Sequence, residues 1–178
     1  TGTLFTKLEP EEQGWFLSGL TESHQQALLH RWPIWARQEQ IAPPGSWSTW
    51  VIMAGRGFGK TRAGAEWVRS IAEEDGKARF ALIGANFVET RTIMVEGESG
   101  LLSIAPPDLR PEWEPSLKRL RWKNGAEARL YSAAEPEGLR GPQHSHAWCD
   151  EVAKWMNNDS AGDGGRSVSD LDAIAGVT

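Results

Sequence analysis

Ala54-Gly55-Arg56-Gly57-Phe58-Gly59-Lys60-Thr61 is the stretch whose chemistry decides the fold. Glycines let successive backbone N–H groups turn inward around phosphate oxygens, because they accept backbone conformations that other residues avoid. A lysine after the last glycine meets the β- and γ-phosphates, and a hydroxyl on the next residue helps hold Mg²⁺. Gly59, Lys60 and Thr61 meet that half of the pattern. Ala54 stands where the standard pattern has its first glycine, a departure of one methyl group, and Gly55 and Gly57 keep the loop permissive. Arg56 places a further cation inside the loop, either against the γ-phosphate or on the surface as a solubilising charge.

The flanks agree with this reading. Residues 50–54 are apolar and partly β-branched, which predicts a short buried strand leading into the loop. Residues 60–74 read as a helix stopped at Asp75 and Gly76, so a helix N-terminus would face the bound anion. Further strands are expected over residues 80–83, 119–123, 127–131 and 146–149, the middle two joined by a tight turn at Asn124 and Gly125. Asn86 is suited to cap a helix running to about Val95. The stretch 97–115, punctuated by Pro106, Pro107, Pro111 and Pro115, reads as loop. Strands alternating with helices imply an α/β fold, a P-loop NTPase with a mainly parallel central sheet flanked by helices.

Upstream, Thr21 can cap a helix to about Trp32, with Pro33 ending it. Three regions are expected: a helical lead-in over 1–33, the nucleotide-binding core over 34–155, and a weakly packed tail over 156–178. The tail is rich in Asp, Gly, Ser and Ala, and only residues 171–174 offer an amphipathic turn.

Hydrolysis of a phosphoanhydride needs a carboxylate for Mg²⁺ and a group that orients the attacking water. Asp150 and Glu151, at the end of the apolar run 146–149 and about ninety residues beyond the loop, have the types and the placement for those two tasks. An exposed acidic turn is the plainer alternative. Cys149 reads as strand packing, since nothing near it in sequence would activate a thiol. His144 and His146, with no further ligand at suitable spacing, read as structural.

Composition sets the outer bounds. The 178 residues suffice for one domain with a substantial core, and 39% hydrophobic with 24% charged content is ordinary for a globular protein. No apolar run is long enough to span a bilayer. One cysteine gives no internal disulfide and suits a reducing cytoplasm. The net charge of −5 provides no footprint for tight non-specific DNA binding by this region alone. Lys118, Arg119, Arg121 and Lys123 form a local basic cluster, most simply solvated charges on a hairpin. Ten dispersed tryptophans are expected mainly in packing.

The residues also carry a family resemblance. Trp35-Ala36-Arg37-Gln38-Glu39-Gln40, Trp47-Ser48-Thr49-Trp50 and the loop continuing through Arg62-Ala63-Gly64-Ala65-Glu66-Trp67-Val68-Arg69 resemble the large terminase subunit of tailed phages and gene transfer agents. The similarity continues through Val95-Glu96-Gly97-Glu98-Ser99-Gly100-Leu101-Leu102, Tyr131-Ser132-Ala133, Leu139-Arg140-Gly141-Pro142-Gln143 and Trp148-Cys149-Asp150-Glu151-Val152-Ala153-Lys154-Trp155. It implies an ATPase that moves double-stranded DNA into a procapsid, working as a ring with a portal protein and a small terminase subunit in the host cytoplasm. ATP and Mg²⁺ are the implied cofactors. By the same resemblance Lys60 and Thr61 bind phosphate and metal, Asp150 is the Mg²⁺ carboxylate and Glu151 the catalytic base. Arg140 is the candidate arginine finger, and Gln40, with Gln38 as competitor, reads the adenine edge. Against that resemblance, the nuclease domain is expected to be missing here, and the threonine-rich coupling segment has no clear counterpart beyond Trp155. A helicase-like P-loop ATPase and a nucleotide-binding module without turnover stand as the alternatives.

Overall fold

The computed structural model describes residues 8–155; the tail assigned to 156–178, with its amphipathic turn at 171–174, lies outside them. Three helices lead in: α1 (Pro10–Ser18), α2 (Glu22–Leu29) and α3 (Trp32–Trp35). Thr21 caps α2 as expected, its hydroxyl oxygen accepting the His24 N–H at 3.3 Å. Pro33 does not terminate that helix. It sits in the first turn of α3, where a missing N–H leaves no helical bond unmade.

Helix α4 (Lys60–Glu74) forms over the expected range, and its buried stripe of Ala63, Ala65, Val68 and Ala72 faces the sheet. Among these apolar positions the same helix buries a charge. Glu66 is 2% exposed and lies 2.7 Å from Arg62 and 2.8 Å from Arg69. Arg69 also donates to the His30 carbonyl oxygen at 2.6 Å, so the pairing that neutralises Glu66 ties the end of α2 to α4.

The sheet has five strands in the order β2-β3-β4-β1-β5. These are β1 (Arg79–Gly84), β2 (Glu112–Glu114), β3 (Arg119–Arg121), β4 (Glu127–Ser132) and β5 (His146–Cys149). β1 runs parallel to β4 and β5, with Leu82 opposite both Leu130 and Trp148. β2, β3 and β4 form an antiparallel meander. The expectation of a mainly parallel sheet is therefore corrected to a mixed one, because the hairpin at Asn124 and Gly125 folds β3 back on β4.

Two local expectations also change. The stretch 97–115 contains a short helix, α6 (Leu101–Ile104), and the edge strand β2. Leu101 and Ile104 enter the core, a burial that outweighs the proline punctuation around them. The helix capped by Asn86, whose Oδ1 accepts the Glu89 N–H at 2.9 Å, begins as α5 (Phe87–Glu89). It continues as a π-helical turn over Thr90–Val95, where Glu96 N–H reaches back five residues to Arg91 O.

Residues 50–54 depart most from the sequence reading. They form no strand, and Val51 and Met53 are 68% and 90% exposed. β5 is the edge of the sheet on the loop's side, and no strand among the described residues hydrogen-bonds to its outer side. Apolar, β-branched composition favours a strand but does not fix its pairing, and residues 50–54 do not add to the open side of β5.

The main core fills the face of the sheet against α4, from Phe80, Leu82, Leu120, Ala128, Leu130 and Trp148 to Met94, Val95, Leu101 and Ile104. A smaller cluster of Ala81, Ile83 and Tyr131, with Leu139, Cys149 and Trp155 against it, covers the other face. Trp155 belongs to the last short helix, α7 (Val152–Trp155).

Candidate active site

The glycine-rich loop opens directly into α4. Gly57 (φ 75°) and Gly59 (φ 85°) both occupy the left-handed region, and Gly59 is the residue from which the helix starts. A side chain at either position would strain the turn, which is why glycine stands there. Lys60 reaches back across the loop, its Nζ donating to Ala54 O at 2.9 Å and Gly55 O at 3.0 Å. Arg56 is exposed on the loop.

The second half of the site arrives from the sheet. β5 ends at Cys149; the next residue, Asp150, is 8% exposed, and its Oδ2 accepts the Thr61 hydroxyl at 2.9 Å. Its other oxygen, Oδ1, accepts the Glu151 N–H at 3.0 Å. Glu151 is itself exposed and held at φ 53°, one of two non-glycine residues among those described with positive φ. Backbone strain of this kind costs about 1–3 kcal/mol and persists only where neighbours impose it. Here the bond to Asp150 Oδ1 imposes it, turning Glu151 away from the line of the strand.

A buried carboxylate beside a hydroxyl is a hard-oxygen pair of the type Mg²⁺ takes when phosphate oxygens and water complete its shell. Among the described residues no cluster of three or more His, Cys, Asp or Glu side chains could cage a metal by itself. The donor set fits a nucleotide-borne Mg²⁺ and does not fit an all-protein metal centre.

Gln40 and Arg37 close the loop from outside. Gln40 is 7% exposed, and its Nε2 donates to Phe58 O at 2.7 Å while its Oε1 accepts the Arg37 N–H at 2.9 Å. The Arg37 guanidinium donates to the same Phe58 oxygen at 2.5 Å and lies 4.7 Å from the centre of the Phe58 ring. Arg37 had no assigned role in the sequence. Its spacing to Gln40 was the sole local signal, and a contact with a residue 21 positions away leaves no trace in local pattern.

Arg140 stands apart. It is an exposed side chain paired with Glu137 at 3.0 Å, and the structure does not bring it to the loop or to Asp150. Three of the four basic hairpin residues have partners: Arg119 bridges Glu114 and Glu127, Lys118 lies 3.5 Å from the Phe87 ring centre, and Lys123 donates to Asp108 O. His146 stacks on Phe80 with centroids 5.2 Å apart, and His144 Nε2 lies 2.9 Å from the Tyr131 hydroxyl. Burial lowers the pKa of both histidines. A cleft of about 1000 Å³ between the lead-in helices and α4 includes Gln40 and Ala63 in its walls but none of residues 54–61.

Burial, with the adjacent Asp150 charge second, pushes the Cys149 thiol up to about 11. The thiolate is the reactive form. The folded chain at pH 8 should therefore react with a thiol reagent at least about tenfold more slowly than the denatured chain, whose cysteine titrates near 8.5. Equal rates in a timed absorbance assay would show Cys149 to be accessible and unshifted.

Comparison with known proteins bears on the family. No curated protein matches. The structure of the "Thermus Phage P74-26 Large Terminase ATPase domain" is similar at a TM-score of 0.47 and 20% identity, covering 83% of this chain. This chain spans 60% of that structure's length. The profile of the family described as "Terminase large subunit, T4likevirus-type, N-terminal" matches residues 51–172, more than half of the chain and inclusive of the loop, Asp150 and Glu151. The chain belongs to the large terminase subunit family, within its N-terminal region.

Proposed function

We propose that this chain is the ATP-hydrolysing motor region of a large terminase, driving double-stranded DNA into a procapsid. The observation that carries the proposal is the 2.9 Å bond between Thr61 and Asp150, which joins the start of α4 to the end of β5 across 89 residues. Phosphate-loop chemistry needs a hydroxyl and a carboxylate at one point, supplied from two separate elements.

In this reading Lys60 and the N–H groups of the loop bind the β- and γ-phosphates, with Arg56 as an added cation. Thr61 and Asp150 would hold Mg²⁺, which when bound neutralises charge on the phosphate oxygens. Glu151 orients the attacking water and takes its proton. Arg140, as an arginine finger, acts within one subunit or across a ring interface, and its exposure in a surface ion pair suits the second role. Gln40 faces the adenine with the donor and acceptor capacity that its bonds to Phe58 and Arg37 leave free. Partners in this reading are double-stranded DNA, a portal protein, a small terminase subunit and further copies of the chain.

A second reading is favoured by the unpaired segment 50–54: the chain binds nucleotide but turns it over only once another segment or subunit anchors the leg that enters the loop. Mg²⁺-dependent ATP hydrolysis by the chain, measured beside Lys60→Ala, separates the two. Turnover that falls by about 100-fold or more in Lys60→Ala supports the motor reading, from the cost of removing a positioned charge donor. Binding without turnover supports the second. Absence of nucleotide binding removes both.

A further inference from the structure

We propose that Arg37 is a positioning residue of the phosphate loop, fixing the Phe58–Gly59 peptide so that the Gly59 N–H faces the phosphate. This rests on the phosphate-loop reading above and deepens it.

Phe58 lies between two residues, Gly57 and Gly59, that both have positive φ. Glycines on either side make rotation of the intervening peptide planes cheap, so the loop does not determine their orientation by its own backbone preferences. The choice falls to contacts from outside. In a trans peptide the C=O of one residue and the N–H of the next point in opposite directions. Holding Phe58 O outward therefore aims the Gly59 N–H inward, at the start of α4 where an anion would sit.

Two donors hold that oxygen: Gln40 Nε2 at 2.7 Å and Arg37 Nη2 at 2.5 Å. Arg37 acts three times over. Its guanidinium supplies the charged donor, its backbone N–H fixes the Gln40 amide through Oε1 at 2.9 Å, and its planar head covers the Phe58 ring. Gln40 in turn packs so closely on Gly59 that a Cβ there would lie 2.7 Å from Nε2. Flipping the peptide would break both of the bonds that Gln40 and Arg37 donate to Phe58 O. Because Arg37 is exposed, its loss should alter the loop without removing core packing.

The test is equilibrium binding of Mg-ATP and, separately, of inorganic tripolyphosphate to the full chain and to Arg37→Ala, Arg37→Lys and Phe58→Leu. Arg37→Ala should weaken both ligands by about tenfold, the size expected for losing a charged hydrogen bond. Arg37→Lys should recover part of the loss, keeping a cationic donor without the planar stack. Phe58→Leu, which retains the carbonyl and loses the ring, should cost about two- to fivefold. The melting temperature of each ligand-free variant should stay within about 2 °C of the parent, as for an exposed position.

Unchanged binding in Arg37→Ala overturns the inference while leaving the phosphate site intact. A loss confined to ATP also overturns it, since the arginine would then be contacting base or ribose. A loss matched by a fall in ligand-free melting temperature, and not restored by lysine, assigns Arg37 a merely structural role. Failure of the unmodified chain to bind either ligand removes the phosphate-loop reading itself and the inference with it.

Discussion

Gly64→Ala is expected to destabilise the chain by about 3 kcal/mol, at the upper end of what one inserted methyl costs in a packed interior. In an ordinary helix the same change stabilises, because alanine loses less backbone freedom than glycine and is the better helix former by about 1 kcal/mol. The sign reverses here because Gly64 faces the sheet at its closest approach to α4. A methyl group on it would overlap Nε1 and Cε2 of Trp148 and lie 2.8 Å from Cζ2. Trp148 is 7% exposed, paired through β5 to Leu82 and packed in the main core, so the ring has nowhere to turn. The helix must move away from β5 instead. That motion separates Thr61 from Asp150, which now meet at 2.9 Å only one turn of helix from Gly64. Thermal unfolding should show a fall of roughly 10 °C, given about 2–4 °C per kcal/mol for a chain of this size. An unchanged or raised melting temperature would mean that α4 and β5 are not in this contact.

Gly64 also marks the boundary between what the sequence discloses and what it withholds. As a glycine inside a helical pattern it carries a local penalty and no local reason; the reason sits 84 positions away in Trp148. Elements whose signals are local came through as read. Lys60–Glu74 combines a loop glycine at its start with an apolar stripe, β4 and β3 meet at an Asn-Gly turn, and β5 is a short apolar run before an acidic pair. Residues 50–54 show the opposite case. Their apolar character is legible, but joining a sheet edge is decided by tertiary context, and in the structure they do not add to the outer side of β5. The sequence reading assigns Thr61 and Asp150 to one metal site because a chemical requirement links two distant motifs; their direct bond is a finding of the structure. No such requirement points to the Arg37–Phe58 contact, because none names the residue behind the loop. For Arg140 the family resemblance carries the expectation, and a surface ion pair with Glu137 is where its side chain lies.

Glu151→Gln should lower ATP turnover by about 10²- to 10⁴-fold, the range spanned by a positioned general base, while ATP affinity stays within about threefold. The separation of the two effects follows from where Glu151 stands. In the proposed reading the phosphate-binding groups belong to the loop and the start of α4, and the metal-fitting oxygens to Thr61 and Asp150, which meet at 2.9 Å. Glu151 shares none of them. Its backbone N–H holds Asp150 Oδ1 at 3.0 Å, a contact that glutamine preserves because it is made by the main chain. Its side chain is exposed, so in the proposed reading it can meet the attacking water. Glutamine keeps the size and a hydrogen-bonding carbonyl but cannot accept the proton, so binding survives and the chemical step does not. The positive φ at this position sharpens the comparison. Glu151→Gly relieves backbone strain worth about 1–3 kcal/mol yet removes the carboxylate, so it should be as stable as the parent or more so and equally inactive. A Glu151→Gln chain that hydrolyses ATP at the parental rate would remove Glu151 as the base.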